Sequence, residues 1–322
     1  MSHRNRDSNS RIELLEILFI PLALIAGGLL AVQAGANAQL SKAVGSPFAA
    51  TMLQLSVGAI VLLLITAFTG TMPALLAVRQ AEWWHAVGGT ASAFYVVSTI
   101  LLFPRLGAVV SVGLFIAGQM LASFALDTFG LLGIPEVGLQ AGPAFGMLVV
   151  LAGATLIVLG QKGAADNLAP SNLGWIGLAL VAGAVLPVQG AVNALLRHDL
   201  GGAPFAVGTI SFLVATLAMA AVLLATLALA KTPRPRLASL SSMPWWGWLG
   251  GFAGATYVTT VFTAIPVIGA AAAVGLTVAG QQVAGIFVDT FGWFRLPQRL
   301  VSGMRLAGVV LLLAGCIIIK AL

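Results

Sequence analysis

The sequence predicts an all-α membrane protein of ten transmembrane helices built as two inverted five-helix repeats. Three observations carry this expectation. Of 322 residues, 60% are hydrophobic and only 7% charged, with a mean hydropathy of +1.06, whereas a water-soluble domain carries about a quarter charged residues. The apolar residues fall in unbroken runs such as Val57 to Phe68 and Leu213 to Ala230, not in the alternating segments of about ten residues that form a β-barrel wall. Finally, residue groups recur in order at a nearly fixed spacing, the mark of an internal duplication.

The elements follow in order. A polar tail, residues 1–16, balances Arg4, Arg6 and Arg11 against Asp7, Glu13 and Glu16. The first apolar run, Ile17–Ala38, ends in Ala36-Asn37-Ala38, which resembles a signal-peptidase site. The same pattern recurs deep in the chain, so the run is expected to be retained. Further runs lie at Pro47–Phe68, Trp83–Phe103, Gly107–Leu126, Ala141–Gly160, Leu173–Leu196, Phe205–Ala230, Trp245–Ile265, Ile268–Val288 and Arg305–Ala321. One crossing needs about 20 apolar residues, so large soluble domains have no room. Trp83, Trp84, Trp245, Trp246 and Trp248 stand at helix entries, where indole favours the membrane interface. Pro104 and Pro266 are expected to terminate their helices and Pro187 to interrupt the sixth, since proline removes a backbone hydrogen bond.

A step of 162 residues carries Trp83-Trp84 to Trp245-Trp246, Gly88-Gly89 to Gly250-Gly251, Tyr95 to Tyr257, Pro104 to Pro266 and Gly107 to Gly269. It continues from Gly118-Gln119 to Gly280-Gln281, from Asp127-Thr128-Phe129-Gly130 to Asp289-Thr290-Phe291-Gly292, and from Pro135 to Pro297. Roughly 23 of 53 positions are identical over this stretch, more than shared hydrophobicity produces. Earlier, Gln33 and Asn37 pair with Gln189 and Asn193, and Pro47-Phe48 with Pro204-Phe205 after a one-residue insertion. The chain therefore divides into the tail, a first repeat at 17–164 and a second at 165–322, with Asp166 to Ser171 as linker. Five helices is an odd number, so the second repeat must enter from the opposite side. That inverted arrangement suits alternating access, because two equivalent halves can exchange which side is open.

A small-residue run with Gln and Asn, then Gly-x-Pro-Phe, and a fourth helix reading Gly-Gln and ending in Asp-Thr-Phe-Gly, resemble the YdcZ-type inner-membrane exporter family of the drug/metabolite transporter superfamily. The motifs occur twice, so nearly the whole chain except the tail resembles a fused pair of such five-helix units. The resemblance implies a multi-pass transporter of the bacterial cytoplasmic membrane; it does not imply a substrate. Small multidrug exporters of the same superfamily carry a glutamate within the first helix, where this chain has Ala, Gly, Val and Gln.

Candidate site residues are mostly neutral. Gln33 and Asn37 are four apart and share a helix face, as do Gln189 and Asn193. Amides can bind a polar, uncharged or zwitterionic solute, or simply tie closely packed helices together at about 0.6 kcal/mol each. Gln119 and Gln281 carry the same two readings. Tyr95 and Tyr257 stand roughly 18 Å beyond their tryptophan pairs at 1.5 Å per residue, deep enough to wall a cavity or to pack in the core. The acids lie in tail, loops or helix ends; only Asp127 and Asp289 could couple or gate transport, the alternative being that each accepts hydrogen bonds from its following Thr-Phe-Gly turn and fixes the helix exit.

The expected function is secondary transport, as an exporter, of a small metabolite or drug-like solute; the alternative is a channel or lipid scramblase on the same bundle. No phosphate loop, serine elbow or ligand-spaced histidine motif is present, so neither an enzyme, a cofactor nor a metal is expected. Partners are the small-molecule substrate and membrane lipids, not nucleic acid, with a monomer and a homodimer both compatible. A cytoplasmic N-terminus would put six Lys and Arg (Arg4, Arg6, Arg11, Arg79, Arg197, Lys320) inside and nine (Lys42, Arg105, Lys162, Lys231, Arg234, Arg236, Arg295, Arg299, Arg305) outside. Positive-inside bias thus places both termini outside, whereas the resemblance implies both cytoplasmic.

Overall fold

The computed structural model describes residues 2–106, 108–160, 168–229, 234–295, 298 and 302–321. The boundary between repeats at 164/165, Asp166, Gly107, Pro297, Lys162, Lys231 and Arg299 lie outside the described residues. The long helices are α1 (Ser2–Val44), α2 (Pro47–Phe68), α3 (Thr90–Leu106), α4 (Ala108–Phe129), α5 (Ala141–Leu159), α6 (Leu173–Asp199), α7 (Pro204–Ala228), α8 (Leu249–Ile268), α9 (Ala270–Phe291) and α10 (Gly303–Ala321). Among the described residues, nine helical stretches are long and apolar enough to cross a membrane, and Gly303–Ile319 is a shorter apolar helix. The fold is therefore all-helical with about ten crossings. Alternating crossings place both chain ends on one side, the terminal face, and the α1–α2 turn on the opposite face.

Local chemistry explains the ends. Between α1 and α2, Gly45 takes φ +69°, Ser46 caps α2 by accepting from the Ala49 N–H at 3.3 Å, and Pro47 occupies the first turn, where its missing N–H costs nothing. In both Asp-Thr-Phe-Gly motifs the glycine stops the helix: Gly130 and Gly292 sit at φ +61° and +62°, a left-handed conformation that costs glycine little.

The backbone of residues 2–16 is helical and continuous with α1. The third and eighth spans begin at their tryptophans as expected, through a short turn at Trp83–Ala86 and 3₁₀ turns at Val87–Gly89 and Trp245–Trp248 that lead into α3 and α8. There the chain presses against a neighbour, since a Cβ on Gly89 would stand 1.9 Å from the Ser211 carbonyl oxygen. Several expectations are corrected. Pro266 does not terminate α8; the helix continues to Ile268 and stops at Gly269, whose φ of +83° excludes most side chains. Pro104 likewise lies inside α3. Pro187 does not interrupt α6, which is continuous from Leu173 to Asp199.

The main packing partners join one half of the chain to the other: α1 with α8 and α9, α6 with α3 and α4, α2 with α7, and α5 with α10. Glycines set the closest crossings. A Cβ on Gly27 would meet the Thr277 carbonyl oxygen at 1.9 Å and one on Gly280 the Leu24 oxygen at 1.9 Å; at the α4–α6 crossing, Gly118 faces the Leu180 oxygen at 2.0 Å and Gly183 the Phe115 oxygen at 2.1 Å. Small residues let membrane helices approach where no hydrophobic force distinguishes helix from lipid. Large apolar side chains such as Ile60, Leu64, Leu217, Leu224 and Ile317 point outward, as a lipid-facing surface requires.

Candidate functional site

A cavity of about 480 Å³ lies between the halves. Its lining runs from Ser41 and Pro47, beside the α1–α2 turn, inward past Gln33, Tyr95 and Gln281 to Asn193 and Val261. All eight side chains singled out in the sequence, Gln33, Asn37, Tyr95, Gln119, Gln189, Asn193, Tyr257 and Gln281, line this one space. Their convergence follows from the packing: α1 and α6 cross beside α9 and α4, so equivalent faces of both halves point inward. Thr51, Gln54, Ser92 and Thr99 also line it and were not singled out. The missed signal is polarity on otherwise apolar helices α2 and α3. No Asp, Glu, Lys, Arg or His is among the lining residues.

The hydrogen bonds distinguish these groups. Gln189 is held on both sides of its amide: the Ser92 hydroxyl donates to Oε1 at 3.0 Å, and Nε2 donates to Ser92 Oγ at 2.9 Å. Asn193 donates to Ser211 Oγ at 3.1 Å. Asn37 makes one long contact, from Nδ2 to Thr51 Oγ1 at 3.4 Å, and its Oδ1 is buried without a partner among the described residues. Tyr95 packs against Phe115 with ring centroids 5.0 Å apart, and Tyr257 is 7% exposed.

Asp127 and Asp289 stand outside the cavity and do different things. The expectation that each aspartate binds its own following turn is corrected. The backbone N–H groups of Ala270 and Ala271 donate to Asp127 Oδ1 and Oδ2 at 2.8 and 2.7 Å, so a carboxylate from the first half caps the N-terminus of α9 in the second. This is a favourable place for a negative charge, since those N–H groups have no intrahelical partner. Asp289 instead accepts from Arg305 Nη1 at 2.6 Å. The repeat spacing puts Pro143 at the position of Arg305, so the first half has no such cation. Also on the terminal face, His85 Nδ1 and Asp199 Oδ2 are 2.5 Å apart, a pair the sequence did not disclose because 114 residues separate its members. Among the described residues, no group of three or more metal-ligating side chains forms.

Comparison with known proteins agrees with this architecture. The Escherichia coli (strain K12) inner membrane protein YdcZ is 29% identical over 80 residues, which are 25% of this chain and 53% of YdcZ, so the match spans about half of that relative. A solved crystal structure superposes on 94% of this chain and 95% of its own length with a TM-score of 0.67 at 17% identity, a likeness of fold. The family model described as "Putative inner membrane exporter, YdcZ" matches twice, over residues 18–156 and 174–318. With both halves matched separately and in order, the chain belongs to this YdcZ family of multi-pass inner membrane proteins.

Proposed function

We propose that the protein is a secondary transporter that exports a small solute by alternating access between two inverted repeats, residues 17–164 and 165–322. The observation that carries this reading is the cavity lined from equivalent positions of both halves, whose lining extends to the α1–α2 turn and not to the bonds that join the halves on the terminal face. On the terminal face, Asp127 binds the start of α9 and His85 meets Asp199. The lining extends instead to Ser41 and Pro47 on the opposite face. Exchange of the two halves moves the cap from Asp127 on α9 to Asp289 on α4, after release from Arg305. A channel needs a continuous polar path, which this one-sided lining does not provide. The Lys and Arg bias, nine against six, puts the cavity's open face in the cytoplasm, where an exporter loads.

Two measurements test the reading. Reporter fusions after Gly163 and Leu322 are expected to report opposite sides of the membrane, with the Gly163 fusion cytoplasmic; fusions on the same side would sink the inverted repeat. In a Cys316→Ser background, Thr99→Cys lines the cavity without another thiol. An impermeant thiosulfonate is expected to modify it from either side of sealed, uniformly oriented liposomes, faster from the face opposite the termini. Modification from one side alone under all conditions describes a dead-end pocket, not a transporter.

A further inference from the structure

Equivalent amides of the two halves differ in what they touch, and the sequence explains why. Applied across the repeat, the spacing that takes Tyr95 to Tyr257 takes Ser92 to Gly254, and the spacing that takes Pro47 to Pro204 takes Gln54 to Ser211. The two hydroxyls that hold Gln189 and Asn193 are therefore replaced around Gln33 and Asn37 by a glycine and an amide. Gln33 lines the cavity opposite Gly254, where a Cβ would stand 2.7 Å from its Nε2. No hydroxyl is there to occupy it. Gln54 is 3% exposed and its Nε2 is buried without a hydrogen-bond partner among the described residues. Asn37 Oδ1 is unpartnered in the same way. Thr51 lies between them, bonded to Asn37 and one turn from Gln54 on the same face of α2. The acceptor that Asn193 leaves unpaired lies against Gly88, where a Cβ would stand 2.7 Å from it, and the Gln54 amide lies against Gly250, the equivalent position of the other half, where a Cβ would stand 2.3 Å from Nε2; Asn193 is in addition held by Ser211.

A buried donor and a buried acceptor left unpaired in the wall of one cavity are costly, and a ligand that supplies both partners removes that cost. The lining carries no counter-ion, so a charged ligand would lose its hydration uncompensated. Its other walls are Leu55, Val96, Phe212, Val258 and the tyrosine rings. We propose that Gln33, Asn37 and Gln54 form the recognition edge for an uncharged solute with an adjacent N–H donor and carbonyl acceptor, of carboxamide or lactam type, on an apolar body. Gln189 and Asn193 are structural. This deepens the transport reading and rests on it.

Four probes of nearly one shape separate the possibilities: benzamide, neutral with donor and acceptor; acetophenone, acceptor only; benzoate, anionic; and benzamidinium, cationic. Binding is measured on the full chain in nanodiscs by ligand-observed NMR titration. Benzamide is expected to bind about tenfold more tightly than acetophenone, the effect of one lost hydrogen bond, and at least tenfold more tightly than either ion. In Asn37→Leu the benzamide to acetophenone ratio falls toward one, in Gln54→Met both neutral probes weaken about tenfold while their ratio holds, and Gln189→Met lowers the melting temperature and keeps the ratio. Should Gln54→Met not fold, Asn37→Leu carries the comparison. A failure of benzamide to bind, an ion bound as tightly as benzamide, an unchanged ratio in Asn37→Leu, or a ratio lost in Gln189→Met overturns the proposal. If the wrong probe binds and modification of Thr99→Cys blocks it, the solute class falls and the transport cavity stands. If Thr99→Cys is also inert to the thiosulfonate from both faces, the cavity reading falls with it.

Discussion

Gly280→Ala and Gly118→Ala are expected to be among the most damaging single substitutions in the molecule. In each, the new methyl carbon would lie 1.9 or 2.0 Å from a backbone carbonyl oxygen of the crossing helix, and no rotamer change relieves a clash with backbone. The helices must separate by roughly 1 Å, and the loss of contact spreads along the crossing because dispersion falls steeply with distance. Overpacking of this kind costs about 3 kcal/mol, a large share of the margin of a folded protein. Gly174→Ala and Gly177→Ala are the controls. Both lie in α6 with nothing within 4 Å of the added carbon, and replacing glycine in a helix is favourable by up to about 1 kcal/mol. The monodisperse fraction after detergent extraction and the melting temperature should fall sharply for the first pair and hold or rise for the second. Equal behaviour of the two pairs would show that the crossing distances do not govern assembly.

These crossings also show which parts of the molecule a sequence exposes. The helices and the duplication are legible because each is written locally or by repetition: apolar runs, tryptophan entries, and motifs that return after 162 residues. Helix ends are less so. Pro266 reads as a stop, yet a proline near a C-terminus forfeits only one bond, and it is Gly269 at φ +83° that turns the chain. The inward faces could be named from Gln33, Asn37 and their counterparts because four-residue spacing marks a helix side. What those amides bind could not be read, since Ser92 and Ser211 reach them from other helices. Comparison of the repeats position by position offers the missing signal: where Ser92 becomes Gly254 and Gln54 becomes Ser211, the halves stop being equivalent. The partner of Asp127 lies 143 residues away, and a turn of its own was the nearer acceptable explanation.

That long-range cap leads to the second large effect. Asp127→Ala is expected to raise the reactivity of Thr99→Cys from the terminal face about tenfold, in the Cys316→Ser background, while the protein still folds. Both carboxylate oxygens are engaged by N–H groups at the start of α9, and charge-assisted hydrogen bonds of this kind contribute about 1.5–3 kcal/mol. If the bonds exist only while the terminal face is closed, their loss bears on one state of the two, and about 1.4 kcal/mol shifts the ratio of states tenfold. Asp289→Ala removes the Arg305 pair of this state as well as the carboxylate that would cap α4 after exchange, so it should raise reactivity from the terminal face far less than Asp127→Ala does. Asp127→Asn retains one acceptor but turns an N–H₂ group toward backbone donors, so it should resemble Asp127→Ala more than the parent. The same engagement argues against proton shuttling: a carboxylate occupied by two helix-end donors is a fixed cap, outside the cavity lining, and does not meet the solute. Uptake into liposomes between pH 5.5 and 8.5 should therefore retain its pH dependence in Asp127→Asn while its rate falls. Gradient-driven accumulation that vanishes in Asp127→Asn, with folding and labelling unchanged, would instead make this aspartate the coupling site. A fall in melting temperature with no change in labelling from either face would leave it a structural cap common to both states.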